Sequence, residues 1–299
     1  MITGAYGLVG SAIVRLLEKM GFENLQPVGR RECDLTDKKK VEELFKNNQP
    51  EYVFHCAAKV YGILGNMNNK ALSFYDNVMI NTNIIHSCKL VGVKKILAMG
   101  TGAVYPFPSP GLPLKEDMIF MGRPHNAENS YAQAKRAMLA MLEAYNESHQ
   151  MEWAYIVSCN LFGPNDKFDT TNGHVVPSLI KKFFDAKKTN SKVSVWGDGS
   201  AKRDFLFVDD AAFSAITVMN EISGSVNIGS GEVLSIRDIV SYLEKITDMQ
   251  GQVEWDSSKP NGQDYRAYDL SKLNQTSFKK RYSIEQGLHI TWDWYKSRN

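Results

Sequence analysis

Tyr131 and Lys135 stand four residues apart in Ser130-Tyr131-Ala132-Gln133-Ala134-Lys135, so a helix sets them on one face. A lysine beside a phenol lowers the phenol's pKa and can hold a ribose, which equips the phenol to pass a proton to or from a substrate oxygen. Ordinary amphipathic helices carry the same spacing. Its weight comes from Met99-Gly100-Thr101-Gly102, thirty residues upstream at the end of an apolar run. A Thr101 hydroxyl projecting from a strand end would share a carbonyl oxygen with Tyr131. Near the start, Gly4-Ala5-Tyr6-Gly7-Leu8-Val9-Gly10 spaces its glycines as G-x-x-G-x-x-G and leads into a helix. Residues without side chains let backbone N–H groups approach a pyrophosphate there, so Gly4, Tyr6, Gly7, Leu8, Val9 and Gly10 are expected to cradle a dinucleotide. Arg30, followed by Arg31, stands twenty residues beyond Gly10 and offers a guanidinium for a 2′-phosphate, which favours NADPH over NADH. Asp34 is expected to meet the adenine or to cap the next helix. Loop, hydroxyl and Tyr/Lys pair together point to a dinucleotide beside groups able to move a proton.

Such a site needs a sheet edge to hold it. Leu25 to Val28, Tyr52 to Cys56, Ile96 to Met99 and Trp153 to Ser158 read as short buried strands. Amphipathic stretches at Ser11–Met20, Lys38–Lys46, Ala71–Val91 and Ser130–Glu147 lie between them. This alternation predicts βαβ units and a doubly wound parallel α/β sheet of the Rossmann type. Only Met1-Ile2-Thr3 precede the glycine loop, so either the first strand is trimmed or further residues stand upstream of Met1. After about residue 160 the pattern loosens into Gly, Pro, Asn and Asp. Helical periodicity returns at Pro177–Ala186, Asp209–Met219, Ile236–Thr247 and Ile284–Lys296. The expected division is a cofactor domain over 1–165 and a smaller α/β substrate domain over 166–299, with some segments returning to the first.

Composition narrows the function classes. Lys+Arg 35 against Asp+Glu 33 gives a net charge of +2, with 43% hydrophobic residues. No concentrated basic face points to nucleic acid, and no apolar run approaches the roughly 20 residues of a membrane span. Without a visible secretory leader the expected compartment is the cytoplasm. Cys33, Cys56, Cys88 and Cys159 are too far apart for a metal-binding pair and read as free thiols; no metal is expected.

The order of glycine loop, hydroxyl and Tyr/Lys is that of the short-chain dehydrogenase/reductase superfamily. Further blocks are Ala57-Ala58-Lys59-Val60-Tyr61-Gly62-Ile63, His125-Asn126, Asn160-Leu161-Phe162-Gly163-Pro164-Asn165-Asp166-Lys167-Phe168, Gly173-His174-Val175-Val176-Pro177 and Val195-Trp196-Gly197-Asp198-Gly199. They continue with Arg203-Asp204-Phe205-Leu206-Phe207-Val208-Asp209-Asp210, Asn227-Ile228-Gly229-Ser230-Gly231 and Lys259-Pro260-Asn261-Gly262. In this order, through essentially the whole chain, they resemble the GDP-L-fucose synthase family. That resemblance implies a GDP-4-keto-6-deoxy sugar substrate, epimerisation at C3 and C5, and reduction at C4 with NADPH. Thr101, Tyr131 and Lys135 map onto the reducing groups, with Ala57, Ala58 and Lys59 beside the cofactor. Asn160, Asn165, His174, Val175, Trp196, Arg203 and Arg266 map onto the substrate, the two arginines facing the diphosphate. Asp209-Asp210 are expected to cap a helix.

One departure is informative. Epimerisation needs proton carriers on both faces of the ring, in the family a Cys two residues after the hydroxyl position and a His. His174 is present, whereas the Cys position holds Ala103, whose methyl carries no proton. The expectation is therefore a C4 reductase of a GDP-4-keto hexose or heptose without 3,5-epimerase activity, acting after a separate epimerase. The alternatives are a bifunctional epimerase/reductase in which another side chain replaces the Cys, and a non-catalytic NADPH-binding protein. A dehydratase would place Asp or Glu where Gly102-Ala103 stand. A homodimer is expected by analogy with the superfamily.

Overall fold

The computed structural model describes residues 1–60, 63–170, 173–259 and 264–299. Tyr61, Gly62, Pro260, Asn261 and Gly262, which carry part of the resemblance, lie outside them. Every residue from Lys95 to Met99 is buried, which follows when both faces of a strand are covered. The main sheet has the order β2-β1-β3-β4-β5-β9, all parallel: β1 (Ile2–Thr3), β2 (Pro27–Val28), β3 (Tyr52–His55), β4 (Lys95–Met99), β5 (Glu152–Ser158) and β9 (Gly224–Ile228). The crossovers carry α1 (Leu8–Lys19), α2 (Lys38–Asn48), α3 (Ile63–Asn68) with α4 (Lys70–Val91), and α5 (Asn129–His149). Strand order reverses at β1, so a crevice opens at the carboxyl edge between β1 and β3. The doubly wound fold is as expected.

Two smaller sheets come from the second half. β6 (Asn160–Phe162), β8 (Lys202–Phe207) and β10 (Val233–Ser235) form one; β7 (Val193–Trp196) and β11 (Val253–Asp256) form the other. Around them lie α6 (Val175–Thr189), α7 (Val208–Glu221), α8 (Ile236–Thr247), α9 (Ser271–Asn274) and α10 (Ile284–Lys296). These strands escape a sequence reading because they are short and only partly buried, with Lys202-Arg203-Asp204 opening β8. The caps correct two expectations. Asp37, not Asp34, caps α2 by accepting from the amides of Lys39 and Lys40; Asp34 instead closes a turn on Thr36. Asp209 and Asp210 sit within the first turn of α7, where they complement the helix dipole, and Phe207 holds the cap position.

The glycine loop also differs from expectation. α1 begins at Leu8, so Gly10 belongs to the helix. It is there for packing: a Cβ on Gly10 would stand 2.2 Å from the Gly4 carbonyl oxygen, and one on Gly4, whose φ is +70°, would stand 2.7 Å from the Ala57 amide nitrogen. Both obstacles are backbone and cannot swing aside. Gly10→Ala is expected to lower unfolding free energy by about 3 kcal/mol in urea titrations; an unchanged midpoint would mean that the loop relaxes freely.

Candidate functional site

At the end of β4 the chain passes over Tyr155 through Gly100, where a Cβ would come within 2.4 Å of the ring. Thr101 follows and caps a short 3-10 turn, Gly102–Val104, its Oγ1 accepting from the Ala103 amide at 3.2 Å. That bond engages an oxygen lone pair and leaves the hydroxyl proton to be donated. From α5, Lys135 reaches under this turn with 1% of its surface exposed, and its Nζ donates to the Met99 carbonyl at 2.7 Å. The same ammonium lies 6.0 Å from the Tyr131 ring centroid. Thr101, Tyr131 and Lys135 are thus gathered at one edge of the sheet, as their spacing predicts.

Their electrostatics depart from expectation. Burial lowers Lys135 to about 8. Burial and the Glu128 carboxylate raise the Tyr131 phenol, the reverse of the lowering expected from the Lys135 spacing. Desolvation outweighs a cation already committed to the Met99 carbonyl. Beneath them His55 is fully buried, bonded to Thr3 Oγ1 at 2.8 Å and to Asn81 Oδ1 at 3.0 Å, and burial holds it near 3, hence neutral.

Glu128, just before α5, gathers the other half of the site. Its carboxylate lies 3.9 Å from Arg266 and near enough to Tyr131, His174 and Arg203 to bias all of them. Burial and the neighbouring Arg266 lower Arg203, as expected of two cations brought together. Although burial opposes it, Tyr268 and Glu128 hold Arg266 more firmly charged. His174 occupies the N-cap position of α6, with Val175 as the first helical residue. Asp166 raises its pKa against the effect of burial. Trp196 ends β7, 42% exposed, with the ammonium groups of Lys182 and Lys259 at 5.3 and 5.9 Å from the ring. Asn160 opens β6, whereas Asn165 turns to α1 and donates to Ser11 Oγ at 3.0 Å.

On the cofactor side, Gly7 caps α1 without any side-chain bond, and the first turn holds no acidic residue. The first helical bond runs from Ser11 to Gly7, which leaves the amides of Leu8, Val9 and Gly10 ahead of it without helical acceptors. Arg30 and Asp34 are exposed at the end of β2, and exposed Tyr6 covers Gly29. Ala57 and Ala58 follow β3, and Lys59 Nζ pairs with Asp76 at 2.5 Å. A cavity of about 440 Å³ lined by Tyr52, Lys95 and Glu152 opens at the opposite, amino edge of the sheet. Doubly wound sheets bind at the carboxyl edge, so that cavity is separate from this site.

Residues 1–229 match the NAD dependent epimerase/dehydratase family. The chain belongs to that family. A putative GDP-L-fucose synthase 2 of Arabidopsis thaliana is 39% identical over 297 residues, covering 98% of this chain and 90% of the relative. Among solved structures, a GDP-6-OMe-4-keto-L-xylo-heptose reductase of Campylobacter jejuni superposes with a TM-score of 0.92 at 30% identity, covering 100% of this chain and 97% of the other. A GDP-mannoheptose C4 reductase of the same organism, with NADP bound, gives 0.88 at 32% identity, covering 99% and 97%. The resemblance to GDP-L-fucose synthase therefore holds along nearly the whole chain. This family member is a nicotinamide-dependent enzyme, and the NADP(H) expected from Arg30 is the cofactor that its heptose-reductase relative holds.

The glycine cradle fits such a dinucleotide: the amides of Leu8, Val9 and Gly10 have no helical acceptors, and a Cβ at Gly4 or Gly10 would collide with backbone. Three residues escaped the sequence reading. Glu128 lacks a motif of its own. Glu32 folds back on the Gly29 amide at 2.8 Å. Tyr268 bonds Arg266 and lies so close to the loop that a Cβ on Gly102 would meet its hydroxyl at 1.9 Å; bridges of its segment to Leu114 and Lys202 hold it there. No helix among the described residues is long and apolar enough to cross a membrane.

Lys135 makes stability depend on pH. The fold disfavours the charged ammonium, with a value near 8 against the ordinary 10.5, so its cost is full below pH 8 and fades as pH rises to 10.5. Urea denaturation across pH 6 to 11 is expected to show the unaltered protein gaining stability relative to Lys135→Met between those two values. A constant gap would mean that Lys135 titrates normally in the fold.

Proposed function

We propose that this protein is an NADPH-dependent C4 reductase of a GDP-4-keto hexose or heptose, acting in the cytoplasm without 3,5-epimerase activity. The observation that carries the reading is the convergence of Thr101, Tyr131 and Lys135 on one sheet edge beside the paired cations Arg203 and Arg266. Bound NADPH would supply a hydride to the C4 carbonyl, held by the amides of the Gly4–Gly10 loop and by Arg30. Tyr131, its phenol kept protonated by burial, donates a proton to the C4 oxygen, while Thr101 donates a hydrogen bond to the same atom. Lys135 fixes α5 against β4 so that both hydroxyls meet there. Arg203 and Arg266 neutralise the diphosphate, and Trp196 packs on the guanine or its ribose.

The absence of epimerisation rests on Ala103, buried at 3% exposure where a proton carrier is needed. None of the four cysteines lies in the loop after Thr101, and burial raises all four thiols, Cys56 to about 12. A separate epimerase would then act first, and the chain would work as a homodimer, which light scattering tests.

Incubation with NADPH and a GDP-4-keto sugar, hexose or heptose, in deuterated water is the deciding experiment. NADPH oxidation with no enzyme-dependent deuterium at C3 or C5 is expected. Deuterium at either carbon would establish a bifunctional enzyme, the reading that the retained His174 favours. Failure to oxidise NADPH with either sugar would remove the reductase reading. Tyr131→Phe is expected to lower kcat by about 100-fold while NADPH binding, followed by fluorescence, persists.

A further inference from the structure

Asp166 has no expected role beyond its place in the Gly163-Pro164-Asn165-Asp166 turn, yet its carboxylate is buried with a half-empty set of partners. Its side chain is 5% exposed. Oδ1 accepts the Lys167 amide at 2.7 Å and stands 3.7 Å from His174 Nδ1. Oδ2 is buried with no hydrogen-bond partner among the described residues. A carboxylate taken out of water in this state is costly unless a cation or donor closes on it. The Lys167 ammonium stands near Asp169 at 3.8 Å, in the opposite role of an exposed surface pair. His174 is the group that faces the carboxylate, and its ring makes no cap bond to α6. The turn itself is anchored: Asn165, at φ +66°, donates to Ser11, the residue following the glycine loop.

We propose that Asp166 is a positioning residue, its carboxylate binding His174 Nδ1–H and holding the imidazole as a fixed cationic donor toward the sugar, with the turn pinned to α1. A carboxylate on one ring nitrogen sets the orientation and proton state of the other. With Ala103 opposite, the ring then serves as a donor and not as one of a pair of proton carriers. The groups facing His174 agree with this role: Asp166 and Glu128 favour the cation, and Lys167 and burial oppose it with smaller effect. The assignment rests on the reductase reading only for what His174 faces.

Histidine NMR titration of the unaltered protein and of Asp166→Asn tests it, with His174→Gln to assign the resonance among six histidines. His174 is expected to titrate above the ordinary imidazole range, and at lower pH in Asp166→Asn. The KM for the GDP-sugar, low while His174 is charged, is expected to begin rising at lower pH in Asp166→Asn and to be raised roughly tenfold near neutrality, with kcat little changed. An ordinary His174 titration in the unaltered protein, which needs no folded variant, overturns the proposal. So does an unchanged titration in folded Asp166→Asn. Titration requires no turnover, so a shifted His174 in a chain that reduces no GDP-sugar supports this assignment and refutes only the reductase reading.

Discussion

A single buried ammonium organises the site. Lys135 is removed from water at the junction of α5 and β4, where the Met99 carbonyl is its bonded partner. The low-dielectric surroundings that make this burial costly also make the bond directional and hard to exchange for water. Because Met99 lies two residues before Thr101, and Tyr131 lies one helical turn before Lys135, that bond sets the relative position of both hydroxyls. The neutral His55, held between Thr3 and Asn81, fills the space beneath without adding a second charge.

Around this centre the cleft balances charge. Arg203 and Arg266 repel one another, and Glu128 partly offsets them while also biasing Tyr131 and His174. The diphosphate of the proposed substrate would complete that balance. Tyr268 joins the arginine pair to the Gly102 backbone, so the proposed anion-binding end and the proposed reacting end are mechanically continuous. Raising the phenol of Tyr131 suits reduction, in which it must begin protonated.

Much of this was legible in the residue order. The G-x-x-G-x-x-G spacing, the Thr101 position and the Tyr131/Lys135 pair are local patterns, and local patterns survive without coordinates. Spacing predicts a lowered Tyr131 because it gives proximity to Lys135 but not desolvation, and desolvation dominates a buried phenol. By sequence Asp34 is a possible helix cap, but Leu35 and Thr36 separate it from Asp37, which does the capping.

The sequence by itself determined the parallel sheet, the glycine loop, the proposed reducing groups Thr101, Tyr131 and Lys135 and, through the family resemblance, Ala103 where a proton carrier is expected. Each depends on residue identity or on periodicity along one segment. Only the tertiary structure decided that Glu128 reaches Arg266 and that Tyr268 lies on Gly102. It also placed Asp166 against His174 with one oxygen unpartnered. These contacts join segments that no spacing rule connects, and their energies depend on burial, which one stretch of sequence does not contain.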